Sequence, residues 1–253
     1  MNLGIFITCR TKSKRLPNKC NLQFIDQISY IEYIFRRTFK IKTKCKKILC
    51  TTKNKIDLNL CKLAKKFKIQ TYRGSTKDKL NRWYNAAKKF NIDFFVTIDG
   101  DDPLFDPQLI DKAFKQFLKT KADFIESKGI ICGLFTYGIK TQALKIVCEI
   151  KNSNDTEMMD IYFKNTGLFT CEQLHNVNKK FYRDDLRITL DYPEDDKFLR
   201  KLINHHKNKK KSLGTNQILK IINKNPKLLL INKNQIKEWK KNQKLKTKLV
   251  LKK

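Results

Sequence analysis

Acidic residues are scarce in this chain: 24 Asp and Glu stand against 56 Lys and Arg, a formal net charge of +32 over 253 residues. Glycine (eight) and proline (five) are also few, so the positions that keep them carry weight. Pro17, Pro103, Pro107 and Pro193 sit beside charged motifs, and Pro226 does not. No stretch approaches the roughly 18 apolar residues of a membrane span. The apolar run at the N-terminus is too brief for a signal peptide, so a cytoplasmic protein with reduced cysteines is expected. The eight cysteines contain no Cys-x-x-Cys pair, and neither a second pair nor a histidine cluster completes a zinc site around Cys45 and Cys50. No Gly-x-x-x-x-Gly-Lys-Ser/Thr occurs, which excludes a Walker loop.

The positive charge is spread rather than patterned. Lysine outnumbers arginine 47 to 9, as A/T-rich coding bias over a whole surface would produce. The aromatic residues do not interleave with the basic ones as a base-stacking platform requires, so a nucleic-acid partner is not expected. A hydrophobic content of 40% is enough for one large α/β domain.

The few acids are concentrated. Ten of the 24 fall in two stretches, Asp99–Asp106 and Asp184–Asp196. A basic chain that keeps its carboxylates together points to a divalent cation, and oxygen-only sites suit Mg²⁺. Short apolar runs at 3–8, 47–51, 68–72 and 94–98 alternate with helical spacing over 25–39, 56–67, 77–90 and 107–119. This predicts a mostly parallel central sheet with helices on both faces. Ligands in such folds bind at the carboxyl ends of strands, where the loop after residue 8 and the acidic run after Ile98 both lie. Beyond residue 122 the pattern weakens. Strands or a hairpin are expected over 123–140, helices over 141–149 and 156–166, a strand over 186–190 and a helix from Pro193. A domain over 1–206 would then be followed by a basic extension, 207–253, with a joint at 207–213 and a short helix near 215–223.

Four motifs carry chemistry, and each has a plain structural alternative. Arg10-Thr-Lys-Ser13-Lys-Arg15-Leu-Pro17-Asn-Lys19 holds five cations and no acid, fit to wrap a triphosphate, or simply a solvated basic loop. In Asp99-Gly100-Asp101-Asp-Pro103-Leu-Phe-Asp106-Pro107, Asp106 reads as a helix cap and Asp99 as a solvated loop residue, and loop solvation is the plain alternative for Asp102. Asp101, after a buried strand and a glycine, has no such account. In Arg187-Ile-Thr189-Leu-Asp191-Tyr-Pro193-Glu-Asp195, helix-dipole complementarity explains Glu194 and Asp195, leaving Asp191 as the second metal candidate. In Arg73-Gly74-Ser75-Thr-Lys-Asp78-Lys-Leu-Asn-Arg82, Ser75 and Asp78 read as a capping box, and Glu157 as a cap for the helix over 156–166.

Together and in this order, the four motifs resemble the cytidylyltransferases that make CMP-activated sugars, including the CMP-Kdo and CMP-acylneuraminate synthetases and, most closely, the spore-coat-polysaccharide branch. The tail from Ile218 through Pro226 to Asn232 is similar as well. The resemblance implies a Rossmann-like nucleotide-diphosphosugar-transferase fold and transfer of CMP from CTP to a sugar acid, with pyrophosphate released, for surface-glycan synthesis. A sugar phosphate, alcohol phosphate or phosphonate is the alternative acceptor, and a non-catalytic basic module the distant one. The resemblance further implies that Arg10, Ser13, Arg15 and Lys19 hold the triphosphate and that Arg73, Gly74, Ser75 and Gly100 contact the nucleotide. Asp101 and Asp191 would hold Mg²⁺, and Arg10, Lys19, Asp101 and Asp191 would serve catalysis. A homodimer is the expected assembly. Departures from the branch, Ile131-Cys132 before Gly133 and the segment Asp155–Tyr162, lie on the acceptor side.

Overall fold

The computed structural model describes residues 1–156, 158–206, 212–246 and 249–252; Glu157 and residues 207–211 of the expected joint lie outside them. Strand β1 (Leu3–Thr8) is buried on both faces, with Ile5 and Ile7 on one side of the sheet and Phe6 on the other. A small hairpin follows, β2 (Gln23–Ile25) and β3 (Ile28–Ser29), turning at Asp26 with φ 51°. Helix α1 (Tyr30–Thr38) starts at the Ser29 cap, which accepts from Glu32 N at 3.3 Å. The helix predicted over 25–39 is therefore shorter, because the left-handed Asp26 turn occupies its first residues.

The expected alternation continues with β4 (Lys46–Thr52), α2 (Leu58–Lys66), β5 (Gln70–Gly74), α3 (Lys79–Phe90), β6 (Phe94–Asp99) and α4 (Pro107–Thr120). The less regular half contains β7 (Phe124–Glu126), β8 (Tyr137–Lys140), α5 (Thr141–Ile150), the one-turn α6 (Ile161–Lys164) and β9 (Cys171–Gln173). Helices α7 (Pro193–Asn204), α8 (Thr215–Lys224) and α9 (Lys233–Lys246) complete the described elements.

Seven strands form one sheet in the order β5-β4-β1-β6-β8-β7-β9. Only β8 runs against its neighbours, β6 and β7. One face is covered by α1, α2, α4, α7 and α8, the other by α3, α5 and α6. This is the mostly parallel α/β sheet that the near-continuous apolar runs predict, since strands covered on both faces lose their polar alternation.

Two expectations for the second half are corrected. Residues 186–190 form no strand: Arg187 makes a single bridge with Cys132, and Leu190 N donates to Asp101 O at 2.8 Å. Among the described residues of 156–166, only 161–164 are helical. Past residue 206, Leu213, Ile218, Ile222 and Leu228 are buried in the same core as Ile5 and Val96. No helix of the described residues is long and apolar enough to cross a membrane.

Candidate active site

The parallel pairing of β1 with β6 puts Thr8 beside Asp99, so the basic loop and the acidic run leave the sheet side by side. Gly100 makes this approach possible. Its N–H donates to Thr8 O at 2.8 Å, and a Cβ here would stand 2.7 Å from both Cβ and Sγ of Cys9. That amide is thus already bonded, and Gly100 serves by being small. Its neighbour Asp101 receives Lys19 Nζ at 2.5 Å.

The same ammonium donates to Asp191 Oδ1 at 3.0 Å and to Leu190 O at 2.9 Å. Two carboxylates 90 residues apart in sequence thus meet on one cation. Asp191 also receives Arg15 Nη2 at 2.6 Å and Arg187 Nη2 at 2.7 Å. Burial pushes the Asp191 carboxyl up, but Lys19, Arg187 and Arg15 outweigh it and hold it below the usual carboxylate range. Asp101 has no arginine of its own. Burial raises its carboxyl, Lys19 opposes, and the nearby Asp191 and Asp99 charges add to the rise. Burial lowers Lys19, yet its two aspartates more than compensate and keep the ammonium charged.

Asp195, read from the sequence as a helix-dipole residue, does more. It is fully buried, accepts the backbone N–H of Asp191 at 2.9 Å and of Tyr192 at 3.0 Å, and takes Arg187 Nη2 at 3.1 Å. Arg187 and Asp195 form the rear wall that fixes Asp191. Their spacing, eight residues apart with Asp191 midway, was the available signal, and the capping explanation concealed it.

The remaining expected residues divide. Arg10 reaches across to Thr76 O at 3.3 Å, and its guanidinium is exposed at the mouth of the cleft. Ser13 is half-buried in the same loop. Gly74 and Ser75 line an open cleft of about 620 Å³ together with Lys53, Thr76 and Asn81. Arg73 is turned away from this group, donating to the carbonyls of Thr52, Lys53 and Asn54 at 3.1, 2.6 and 3.0 Å. Arg82 was not singled out as a site residue, yet it is buried, crosses the space that Gly74 leaves open, and donates to Ser75 O at 2.7 Å. Ser75 is not the helix cap: Asp78 caps α3 by accepting from Asn81 N at 3.0 Å, while Ser75 Oγ accepts from Asp78 N. A second cavity, of about 400 Å³ beside Lys201 and His205, lies at the far end of α7 from Asp191.

The donor set suits a hard divalent cation. Carboxylate oxygens of Asp99, Asp101 and Asp102 lie within 4.8 Å of one another, and Asp191 shares Lys19 with Asp101. Asp102 is buried, not solvated as its loop position suggested, and its burial with Asp101 and Asp99 close by pushes its carboxyl well up. In the free chain Lys79 pairs with Asp99, Lys19 with Asp101, and Lys19, Arg15 and Arg187 with Asp191, so a cation of charge two would bind by displacing some of these partners.

The chain is similar to known proteins over most of its length. A family model described as cytidylyltransferase matches residues 5–234. An uncharacterized protein of Methanocaldococcus jannaschii is 34% identical over 237 residues, covering 92% of this chain and 94% of that one. The spore coat polysaccharide biosynthesis protein SpsF of Bacillus subtilis is 21% identical over 233 residues, covering 89% and 96%. Among solved structures, a cytidylyltransferase from Leptospira borgpetersenii superposes with a TM-score of 0.81 at 26% identity, over 90% of this chain and 97% of that one.

Proposed function

The chain belongs to the cytidylyltransferase family, and from that premise we propose that it transfers CMP from CTP to a sugar acid in the cytoplasm, for the synthesis of a surface glycan. The observation that carries the reading is the meeting of Asp101 and Asp191 on the ammonium of Lys19, at the carboxyl edge of the sheet. The kinship with a protein named for spore coat polysaccharide biosynthesis supports the role in glycan synthesis.

Asp101 and Asp191 are the proposed holders of Mg²⁺, with Asp99 and Asp102 close behind. When bound, the ion supplies charge neutralisation for a triphosphate. The chain's own residues do the rest. Arg10, Ser13, Arg15 and Lys19 follow β1 in one loop, from which Arg10 reaches Thr76 of the cleft wall; their cations fit the β- and γ-phosphates. In the free chain Arg15 and Lys19 are bound to aspartates, and phosphate oxygens compete for the same N–H groups. Gly74 and Ser75 line the cleft and are the proposed contacts for the nucleoside. An oxygen of the acceptor attacks the α-phosphorus in line. A new P–O bond forms as an acceptor hydroxyl gives up its proton to solvent, the bond from the α-phosphorus to the bridging oxygen breaks, and its electron pair leaves with pyrophosphate. Catalysis of this kind rests on positioning and charge stabilisation. A homodimer is the proposed assembly.

The test is pyrophosphate release with Mg²⁺, each of the four nucleoside triphosphates, and a panel of sugar acids, sugar phosphates, alcohol phosphates and phosphonates. CTP-selective release with a sugar acid is expected. Release only with a phosphorylated acceptor would replace the acceptor class and keep the donor. Near-normal turnover by Asp101→Asn would overturn the site.

A further inference from the structure

Arg187 is only 2% exposed and holds Asp191 from behind. Its Nη2 bonds both Asp191 and Asp195, and its Nε bonds Asp195 Oδ1 at 3.3 Å. Nη1 is buried without a hydrogen-bond partner among the described residues. A guanidinium held on only one side by hydrogen bonds needs something to keep its plane in place. Two rings do this. Tyr192 lies with its centroid 5.8 Å from the guanidinium carbon, and Trp239 with its centroid at 5.1 Å. Trp239 belongs to α9, whose lysine- and asparagine-rich sequence offers the core little else. The family match ends at residue 234, so this ring comes from outside it. The helix is fastened at both ends of the contact. Asn232 donates to Asp195 Oδ1 at 2.9 Å and to Arg187 O at 3.3 Å, and Asn242 donates to the Tyr192 hydroxyl at 3.2 Å.

We propose that Trp239 is a positioning residue for Asp191, its ring fixing the Arg187 guanidinium and thereby the carboxylate offered to the metal. The inference rests on the reading of Asp191 as a metal holder. A merely packing role for Trp239 would require apolar volume, whereas the proposed one requires a π face over the cation. Leucine keeps much of the first without the second, and phenylalanine keeps both in part.

The experiment measures Mn²⁺ binding to the full chain in the presence of CTP by electron paramagnetic resonance, which needs no turnover, alongside the Mg²⁺ dependence of pyrophosphate release. Trp239→Leu is expected to weaken Mn²⁺ binding about fivefold and Trp239→Phe by less than about twofold. CTP affinity without metal should be unchanged in both, and their melting temperatures alike. Equal metal affinity in the Leu and Phe variants, whether weakened or intact, would overturn the proposal. Failure of the underlying reading looks different: Asp191→Asn would then bind Mn²⁺ as the wild type does, and the proposal would fall with it. A wild type that binds Mn²⁺ through Asp191 yet turns over no acceptor counts against the acceptor class alone, and the Leu and Phe comparison is still decisive.

Discussion

Lys19 donates to two carboxylates and a carbonyl with one nitrogen, so its loss alters the local charge by more than one contact. Lys19→Met should leave Asp101 and Asp191 facing each other without an intervening cation. Turnover is expected to fall at least about 100-fold, because a fixed charge at the reacting group is lost; steady-state pyrophosphate assays read this directly. The two aspartates should differ in their structural cost. From sequence alone, Asn at either position is expected to spare the melting temperature. The structure keeps that expectation for Asp101, whose side chain is 26% exposed, and corrects it for Asp191. Asp191→Asn leaves Arg187 and Arg15 short of a counter-charge in a buried network. It should cost roughly 3 kcal/mol, a melting shift of roughly 8 °C, against under about 1 kcal/mol for Asp101→Asn. Thermal melts of the two variants side by side check the contrast. At this scale the sequence was informative where a residue had one role. Asp101 and Asp191 stood out because no cap or turn accounted for them. Arg73 and Arg82 could not be told apart, since which guanidinium reaches carbonyls of the neighbouring loop depends on the pairing of β4 with β5.

Helix α3 shows how an element behind the cleft is held in register. Its cap, Asp78, is buried and also takes Lys151 Nζ at 2.6 Å and Thr156 Oγ1 at 3.1 Å. Lys151→Met should strand that carboxylate and destabilise the protein by roughly 3 kcal/mol, measurable by urea unfolding, with the affinity for CTP weakened because Ser75 and Arg82 flank the cap. The β1–β6 junction is equally exacting. Gly100→Ala places a methyl against Cys9 and Thr8 O and should cost roughly 1–3 kcal/mol, with turnover lost through displacement of Asp101. A Gly100→Ala variant with normal turnover and stability would mean that the junction yields more than its packing suggests. Elements with strong local signals were legible: β6 from its unbroken apolar run, α4 from Asp106 before Pro107, whose carboxylate accepts Gln108 N at 2.8 Å. Helix α9 was not, because a helix that is polar nearly all round has no period to read. Residues 186–190 misled for the opposite reason. Their apolar alternation is real, but their backbone bonds to isolated partners rather than to a strand.

Over the whole molecule, a net charge of +32 must repel itself. The most buried ion pairs, Lys19 with Asp101 and Asp191, Arg187 with Asp191 and Asp195, and Lys151 with Asp78, sit in the site and the core. Pairs such as Arg36–Glu32 and Lys145–Glu149 are exposed among the excess lysines. Raising the salt from about 0.01 M to about 0.5 M should therefore raise the melting temperature, since screening reaches the exposed charges and spares the buried pairs. Differential scanning calorimetry across that range is the check, and a falling melting temperature would mean that exposed ion pairs outweigh the repulsion. The placement of the catalytic constellation along the chain has a consequence for biosynthesis. Lys19 and Asp101 are made early, whereas Asp191, Asn232 and Trp239 come from the last quarter of the polypeptide. A nascent chain still on the ribosome can pair β1, β4, β5 and β6, all complete by residue 99, and remain inert. Competence to consume CTP would then wait on the late-made Asp191, so a translation product that stops short of it is expected to spend no nucleotide.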